Sequence, residues 1–469
     1  MDIKYRLASS VSKTLSEVCR AANFGGTSFP GKIACKMYPD ALKEAAKHYK
    51  IIMVTGTNGK TTTTHIVGQI LKENDIKYIT NKSGANLIGG IATTFLNSTG
   101  FFGKPSAQVA LIEVDEAAFS TVCDFMEPDI LIVTNFFRDQ LDRYGELYTT
   151  LNNVKLGVRK LKNTSLILNA DDSLCASLGT GSQKKVVYYG MGPNAYRNTE
   201  KPVYTDAMYC IYCKNEYKYS NFVYGHLGGF KCPKCGYSRP HSSITCSCID
   251  KLNSSYSLIQ LAIDDLVNNI FKKKELYKVR INLPGLYNIY NSLAALSCGA
   301  LLGLPIKKTL KCLDNLECGF GRMEIIKADG KEIKVILVKN PSSFNQAINF
   351  LITEEKQTQA AFLVNDRTAD GIDVSWLWDV GFEKLQRIQE KISGILVSGL
   401  RAEDMALRLR YADIDADKII LVKDYREMLH KGLANTLKGS SFYIFATYTA
   451  MFDVRKYLKE MFGLKEFWE

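Results

Sequence analysis

The chain reads as an α/β protein on three observations. Strand-like apolar runs alternate with helical segments along most of its 469 residues, the pattern of a mostly parallel, doubly wound sheet. Several runs end in amide or acid side chains, and in such sheets that rim is where ligands bind. One run, Ile51-Ile52-Met53-Val54, enters Thr55-Gly56-Thr57-Asn58-Gly59-Lys60-Thr61-Thr62 ahead of a helix predicted over Thr63 to Leu71.

That stretch has the chemistry of a phosphate cradle. Glycines let backbone N–H groups close round an anion at a helix N-terminus. Lys60 can neutralise a terminal phosphate, and the hydroxyl of Thr61 or Thr62 can ligate Mg²⁺. Val54 stands where the longer phosphate-loop pattern has a glycine, so this is a shorter Gly-Thr-Asn-Gly-Lys-Thr variant.

The length suffices for two or three domains. Apolar residues at 46% and charged residues at 23% describe a soluble globular protein. A formal charge of +12 suits an anionic substrate, nucleic acid or an acidic membrane face without choosing between them. The first residues lack a signal-peptide core, and no apolar run reaches the roughly 18 to 20 residues needed to span a bilayer. The expected location is the cytoplasm, where the paired ones among thirteen cysteines read as metal ligands rather than disulfides.

Residues 1 to 50 look helical. Ile76 to Thr80 is strand-like, and Ser83 to Gly90 is a small polar loop suited to a phosphate or sugar, or to a plain connection. Val109 to Glu116 is a buried strand ending in acids, with Glu113 the candidate Mg²⁺ ligand, Asp115 or Glu116 its neighbours. For Glu116 itself a solvated helix-capping role is the expectation. Two further strands, Ile130 to Asn135 and Leu166 to Asp172, add amides and acids to the same rim.

Cys210-Ile211-Tyr212-Cys213 and Cys232-Pro233-Lys234-Cys235 are two Cys-x-x-Cys pairs separated by 18 residues. Each can place two thiolates about 2.3 Å from one Zn²⁺, and four sulfurs leave no open position, so the ion would fold an insertion. Cys246, Cys248, His226 and His241 lie nearby as competing ligands, although the regular pairs are preferred. The surrounding tyrosines could stack on bases but are expected to pack a small insert.

Helix-forming residues after Leu283-Pro284-Gly285 carry Asn288 and Asn291, three apart and hence on one face, on the expected adenine side of the pocket. Gly319 to Glu324 marks a boundary, with Arg322 able to reach phosphate. From about 325 a second α/β unit follows. Its segment Asn365 to Asp379 crowds four aspartates and two tryptophans into one loop, a composition that suits binding or the positioning of a charge.

In order, Gly-Thr-Asn-Gly-Lys-Thr, Ile-Glu-Val, Thr-Asn-x-x-x-Asp-Gln-Leu-Asp, Asn-Ala-Asp-Asp, Pro-Gly-x-Tyr-Asn-x-x-Asn and Gly-Arg-Met-Glu resemble the central domain of the Mur ligases. The resemblance spans roughly residues 40 to 324. Gln140 and Tyr287 replace histidines of that pattern, and Val338-Lys339-Asn340-Pro341 replaces its Ala-His-Asn-Pro loop. With the Cys₄ insertion and Ala-Asp-Gly-x-Asp-x-Ser-Trp-Leu-Trp-Asp, the chain is similar to the MurT family, the synthetase subunit of lipid II isoglutaminyl synthase.

The resemblance implies a central ATP-binding domain over 51–322 with a zinc ribbon at about 205–240, after a helical lead-in of 1–50, and a C-terminal α/β domain over 323–469. It implies ATP-dependent amidation of the D-glutamate α-carboxylate of the lipid II stem through an acyl phosphate, at the cytoplasmic membrane face. Ammonia would come from a GatD glutamine amidotransferase partner. Gly56, Thr57, Asn58, Gly59, Lys60, Thr61, Thr62, Asn135, Asp139, Asn288, Asn291 and Arg322 would hold nucleotide or metal-bound water. Thr61 and Glu113 would hold Mg²⁺. Asp373, ahead of Asp370 and Asp366, would complete the partner's Cys–His pair, with Trp376 and Trp378 as interface anchors. The competing expectations are a partner-independent, folylpolyglutamate-type amino-acid ligase and a zinc-ribbon nucleic-acid-binding ATPase; no nucleic-acid partner is expected on the preferred reading.

Overall fold

The computed structural model describes residues 3–22, 27–81, 84–99, 105–139, 147–196, 205–264, 275–316, 324–352 and 354–464. Helices α1 (Ile3–Ala21), α2 (Phe29–Met37) and α3 (Ala41–Ala46) precede the first strand. Strand β1 (Lys50–Thr55) follows, then α4 (Lys60–Glu73), β2 (Tyr78–Thr80), α5 (Ile88–Asn97), β3 (Val109–Glu113), α6 (Glu116–Val122), β4 (Ile130–Val133) and α7 (Leu147–Lys160). Beyond them lie β5 (Ser165–Asn169), the short α8 (Ser173–Ala176), β6 (Val186–Met191), the hairpin β7 (Lys218–Tyr224) and β8 (Leu227–Lys231), β9 (Ile244–Leu252), β10 (Ser257–Ile263), β11 (Glu275–Ile281), α9 (Leu286–Leu301) and α10 (Ile306–Asp314).

The first sheet has the order β11-β10-β9-β6-β5-β4-β1-β3-β2. Strands β1 to β6 pair in parallel, whereas β9, β10 and β11 pair antiparallel with one another. Because β1 lies between β3 and β4, chain crossovers leave it in opposite directions, and a crevice opens beyond its C-terminal end. The phosphate loop sits there. Strands buried on both faces explain why β1, β3 and β4 are continuous apolar runs, and nearly every residue of these three strands is buried.

Helix α4 covers the sheet with Ile66, Val67, Ile70 and Leu71, spaced to share one stripe. Burying each such side chain contributes roughly 1.5–3 kcal/mol. Two expectations shift here. Ile88, Gly89 and Gly90 are the first turn of α5 rather than loop, with Gly90 N–H donating to Leu87 O at 2.9 Å. The glycine serves close packing, since a Cβ on Gly89 would lie 2.6 Å from Lys32 Cγ. The antiparallel edge β9–β11 was not anticipated from the sequence.

A second sheet collects β12 (Glu324–Ala328), β13 (Lys331–Leu337), β14 (Thr358–Leu363), β15 (Ile392–Ser398), β16 (Ile419–Leu421) and β17 (Ser441–Ala446) in the order β12-β13-β17-β14-β15-β16. All pairs are parallel except β12 with β13. Helices α11 (Pro341–Ile352), α12 (Ala402–Tyr411) and α13 (Tyr425–Asn435) connect them, and α14 (Tyr448–Phe462) follows the last strand. Phe344, Phe362, Phe382 and Phe445 pack ring against ring in the core on one face of this sheet. Among the described residues, no helix is long and apolar enough to cross a membrane.

Candidate active site at the phosphate loop

The loop Gly56 to Gly59 links the end of β1 to Lys60, the first residue of α4. Lys60 is buried, and its Nζ donates to Gly56 O at 2.6 Å, to Thr57 O at 3.3 Å and to Glu116 Oε2 at 3.0 Å. Burial pushes this ammonium's pKa down, but the carboxylates of Glu116, Glu113 and Asp115 outweigh it, and the net shift is upward. Glu116 is therefore not the solvated cap expected of it. Asp115 is the N-cap instead, accepting from Ala117 N–H at 3.0 Å, which places Glu116 one residue into the helix and 5% exposed.

Glu113 ends β3, buried at 7% exposure. Its N–H donates to Asn81 Oδ1 at 2.9 Å and its C=O accepts from Asn81 Nδ2 at 2.8 Å, so Asn81 fixes the backbone that aims the carboxylate. Thr61 and Thr62 stand half-buried in the first turn of α4. Formally, three carboxylates face one ammonium in this buried patch, an excess that a divalent cation neutralises. The donor set thus fits Mg²⁺.

Two amides brace the loop, Asn135 from just beyond β4 and Asn291 from helix α9. Asn135 Oδ1 accepts from Asn58 N–H at 3.0 Å while its Nδ2 donates to Asn58 O at 2.9 Å. Asn291 presses on Gly59 so closely that a Cβ there would lie 2.2 Å from Asn291 Oδ1, which leaves glycine as the residue that fits, with φ at +90°. Asn288 does not reach the loop directly; it accepts from Asn291 Nδ2 at 3.2 Å and donates to Pro284 O at 2.7 Å. Its part is to orient Asn291.

The second sheet supplies two residues that the candidate set had not included. Lys339 Nζ pairs with Asp139 Oδ2 at 2.7 Å and donates to Thr57 O at 3.3 Å. Asn340 Nδ2 donates to Asn58 Oδ1 at 3.2 Å and to Asp139 Oδ1 at 3.3 Å. The signal for them was the altered Val338-Lys339-Asn340-Pro341 loop. Between the sheets lies a narrow cleft lined by Asn58, Gly59, Tyr224, Tyr287, Asn291 and Phe350, among others. Arg322 lies outside the described residues.

Cys210, Cys213, Cys232 and Cys235 come together as expected, with every sulfur within 4.8 Å of the others. Cys210 to Cys235 is 3.5 Å and Cys213 to Cys232 is 3.4 Å, close to the edge of about 3.8 Å in a tetrahedron of 2.3 Å zinc–sulfur bonds. The two knuckles share one backbone pattern. Cys210 N–H donates to Asn215 O and Cys232 N–H to Tyr237 O, each at 2.7 Å. The four thiols fit Zn²⁺. Cys246 is buried in the sheet core, and His226 and His241 face Asp172 and Asp264 instead. Tyr217, Tyr219, Phe230 and Tyr237 pack the insert, as expected.

The three C-terminal aspartates differ in how they are used. Asp370 is buried and accepts from Thr449 N–H at 2.7 Å and Thr449 Oγ1 at 2.5 Å. Asp366 pairs with Arg401 at 2.7 Å. Asp373 is half-buried, with Oδ1 accepting from Ser375 N–H at 2.8 Å in a local turn. Near it in sequence, Ile372 is 64% and Trp378 46% exposed, and Trp378 meets Tyr411, 67% exposed, edge to face at 5.2 Å. Trp376 is partly buried and packs on the core ring Phe344 at 6.2 Å.

A shortened phosphate loop at the switch point of a mostly parallel sheet, roofed by a second α/β sheet, defines an enzyme of the Mur ligase class. Residues 54–226 match the Mur ligase middle domain and residues 337–451 match the MurT ligase C-terminal family. The chain is 36% identical over 439 residues to the lipid II isoglutaminyl synthase (glutamine-hydrolyzing) subunit MurT of Streptococcus pneumoniae, covering 92% of each. It is 32% identical over 456 residues to the subunit of the same name from Staphylococcus aureus, covering 96% of this chain and 97% of that one. The chain belongs to the MurT family. Solved structures share its fold: a pseudomurein peptide ligase type C from Methanothermus fervidus at TM-score 0.66 and 21% identity, over 90% of this chain and 81% of that one. MurF of Thermotoga maritima in complex with ADP follows at TM-score 0.63 and 15% identity, over 91% of this chain and 84% of that one.

Proposed function

We propose that this chain is the synthetase subunit of a lipid II isoglutaminyl synthase. It uses ATP to amidate the D-glutamate α-carboxylate of the lipid II stem peptide, with ammonia from a GatD-type glutaminase, at the cytoplasmic face of the membrane. Residues 51–322, with the ribbon inserted, form the ATP-using domain, and 323–469 form the domain that closes on it.

A carboxylate and ammonia do not condense in water, because the leaving group would be oxide. Transfer of the terminal phosphoryl group to a carboxylate oxygen releases ADP and makes that oxygen a leaving group. The ammonia nitrogen then attacks the acyl carbon, and phosphate departs. Lys60 neutralises charge on the moving phosphoryl group. Its ammonium is held at the mouth of the loop by the Gly56 and Thr57 carbonyls and by Glu116. Thr61 and Glu113 would hold Mg²⁺, which would supply charge neutralisation for the nucleotide phosphates. Asn135 and Asn291 hold the loop's shape, and Lys339, Asn340 and Asp139 carry the closure of the second sheet. Zn²⁺ on the four cysteines is structural.

For the partner's triad, Asp373 is the residue whose carboxylate is least engaged within this chain, beside the exposed Ile372, Trp378 and Tyr411. That face suits a protein partner. The observation that carries the whole reading is the buried Lys60 in a loop closed from both sheets. The test is incubation of the chain and its partner with ATP, glutamine and lipid II, followed by mass analysis. Formation of ADP and of a product whose mass has fallen by the difference between a hydroxyl and an amino group supports the reading; unchanged lipid II with intact ATP overturns it.

A further inference from the structure

Asp171 and Asp172 follow β5 on the rim where a nucleotide site was expected, and each links the ribbon insertion to the first sheet's own framework. Asp171 Oδ2 accepts from Met191 N–H at 2.7 Å and the Tyr290 hydroxyl at 2.6 Å, and Asp172 Oδ1 caps α8, accepting from Leu174 N–H at 2.9 Å and Cys175 N–H at 3.2 Å. Asp171 pairs with Arg239, at the end of the ribbon segment, and its C=O accepts from Gly228 N–H at 3.0 Å. Asp172 faces the tip of the β7–β8 hairpin: His226 Nε2 lies 3.3 Å from its Oδ1, with both side chains fully enclosed. Neither imidazole nitrogen makes a hydrogen bond of good geometry. The ring is held by the charge of Asp172 and by Phe137, whose ring centroid is 4.7 Å away.

The same carboxylate reaches the other way. Asp172 Oδ2 accepts from Phe136 N–H at 2.7 Å, and Phe136 follows Asn135, the residue that clasps Asn58. Phe137 N–H in turn donates to Thr57 Oγ1 at 3.2 Å, and the Thr57 hydroxyl donates back to Phe137 O at 3.3 Å. The hairpin tip is fitted to this segment closely. A Cβ on Gly225, at φ +54°, would lie 2.7 Å from Phe137 Cε1, and Tyr224 stacks on Phe137 at 5.8 Å while lining the cleft between the sheets.

We infer that the zinc ribbon is a positioning device for the phosphate loop, acting through His226 on Asp172 and through Gly225 and Tyr224 on Phe137. The ribbon's folded state then sets the placement of Thr57 and Asn58, and with it nucleotide affinity. His226 is a positioning residue that touches no phosphate. The inference rests on the nucleotide-binding reading above.

The test is calorimetric titration of the full chain with ADP and Mg²⁺, with zinc content measured on the same samples. His226→Ala is expected to keep its zinc and bind ADP ~10-fold more weakly, the scale set by removing one charge-assisted interaction. His226→Gln, whose amide can donate to the same carboxylate, should recover most of that affinity, which a role in packing alone would not give. Gly225→Ala, driving a methyl into Phe137, should weaken ADP in the same sense with zinc retained, and it decides the matter if His226→Ala does not fold. Wild-type affinity in Gly225→Ala and in any folded His226→Ala, or equal weakening in the alanine and glutamine variants, overturns the inference. A wild-type chain that binds no ADP overturns the nucleotide reading itself, and the inference with it.

Discussion

Lys339 Nζ lies 2.7 Å from Asp139 Oδ2, and these two residues belong to different sheets. Lys339 follows β13 and Asp139 lies beyond β4, so the ion pair ties the second sheet to the segment that also holds the phosphate loop. Both side chains are largely shielded, at 29% and 13% exposure, so removing either leaves the other's charge without its partner in a shielded site. Lys339→Ala should raise KM for ATP ~10-fold with a smaller change in kcat. A double-mutant cycle with Asp139→Asn should show coupling of about 1 kcal/mol or more. Additive effects would mean that the pair does not carry the closure.

Lys60→Ala removes the only ammonium that sits on the loop carbonyls among the described residues of α4. Amidation should fall by ~10³-fold or more, while zinc content and the circular dichroism spectrum stay as in the wild type. Glu116→Gln should give a milder defect, because it leaves the lysine in place and removes one of its partners. Turnover at the wild-type rate in Lys60→Ala would exclude the loop from phosphoryl transfer.

Asp373→Asn should lower the partner's glutamine hydrolysis by ~10²-fold or more and leave synthesis from added ammonium salt unchanged. Asp370→Asn should behave otherwise. Its carboxylate accepts from both the backbone and the hydroxyl of Thr449, so its removal should appear as a lowered melting temperature. Measuring glutaminase rate and thermal midpoint on both variants separates the roles, and a glutaminase defect confined to Asp370→Asn would move the assignment there.

Metal analysis should find one zinc per chain, and Cys213→Ser or Cys232→Ser should lower it in step with the fraction of folded ribbon. Structural zinc binding is folding free energy. A chelator should therefore expose the ribbon to proteolysis between β6 and β9 before the rest of the chain. A metal-free preparation with an intact ribbon would remove the zinc assignment.

Much of this was legible beforehand, for physical reasons that can be named. The phosphate loop announced itself because glycine, lysine and hydroxyls at that spacing have few other uses, and the cysteine pairs because sulfur ligands need fixed spacing. Glu116 was misread because the cap lies one residue earlier at Asp115, and a shift of one residue turns an acid from solvent to Lys60. Trp376 and Trp378, two apart in one loop, looked alike, yet the short 3₁₀ turn at Ser375–Asp379 sends one to the core and leaves the other half exposed. Lys339 meets Asp139 across 200 residues of chain, and His226 meets Asp172 only once the ribbon hairpin has folded back on the sheet. No local pattern encodes such meetings.

Three asparagines grip the phosphate loop, Asn135 just beyond β4, Asn291 from helix α9 and Asn340 just beyond β13. Two of these grips owe nothing to the second sheet, so the first unit by itself dictates the shape of the cradle.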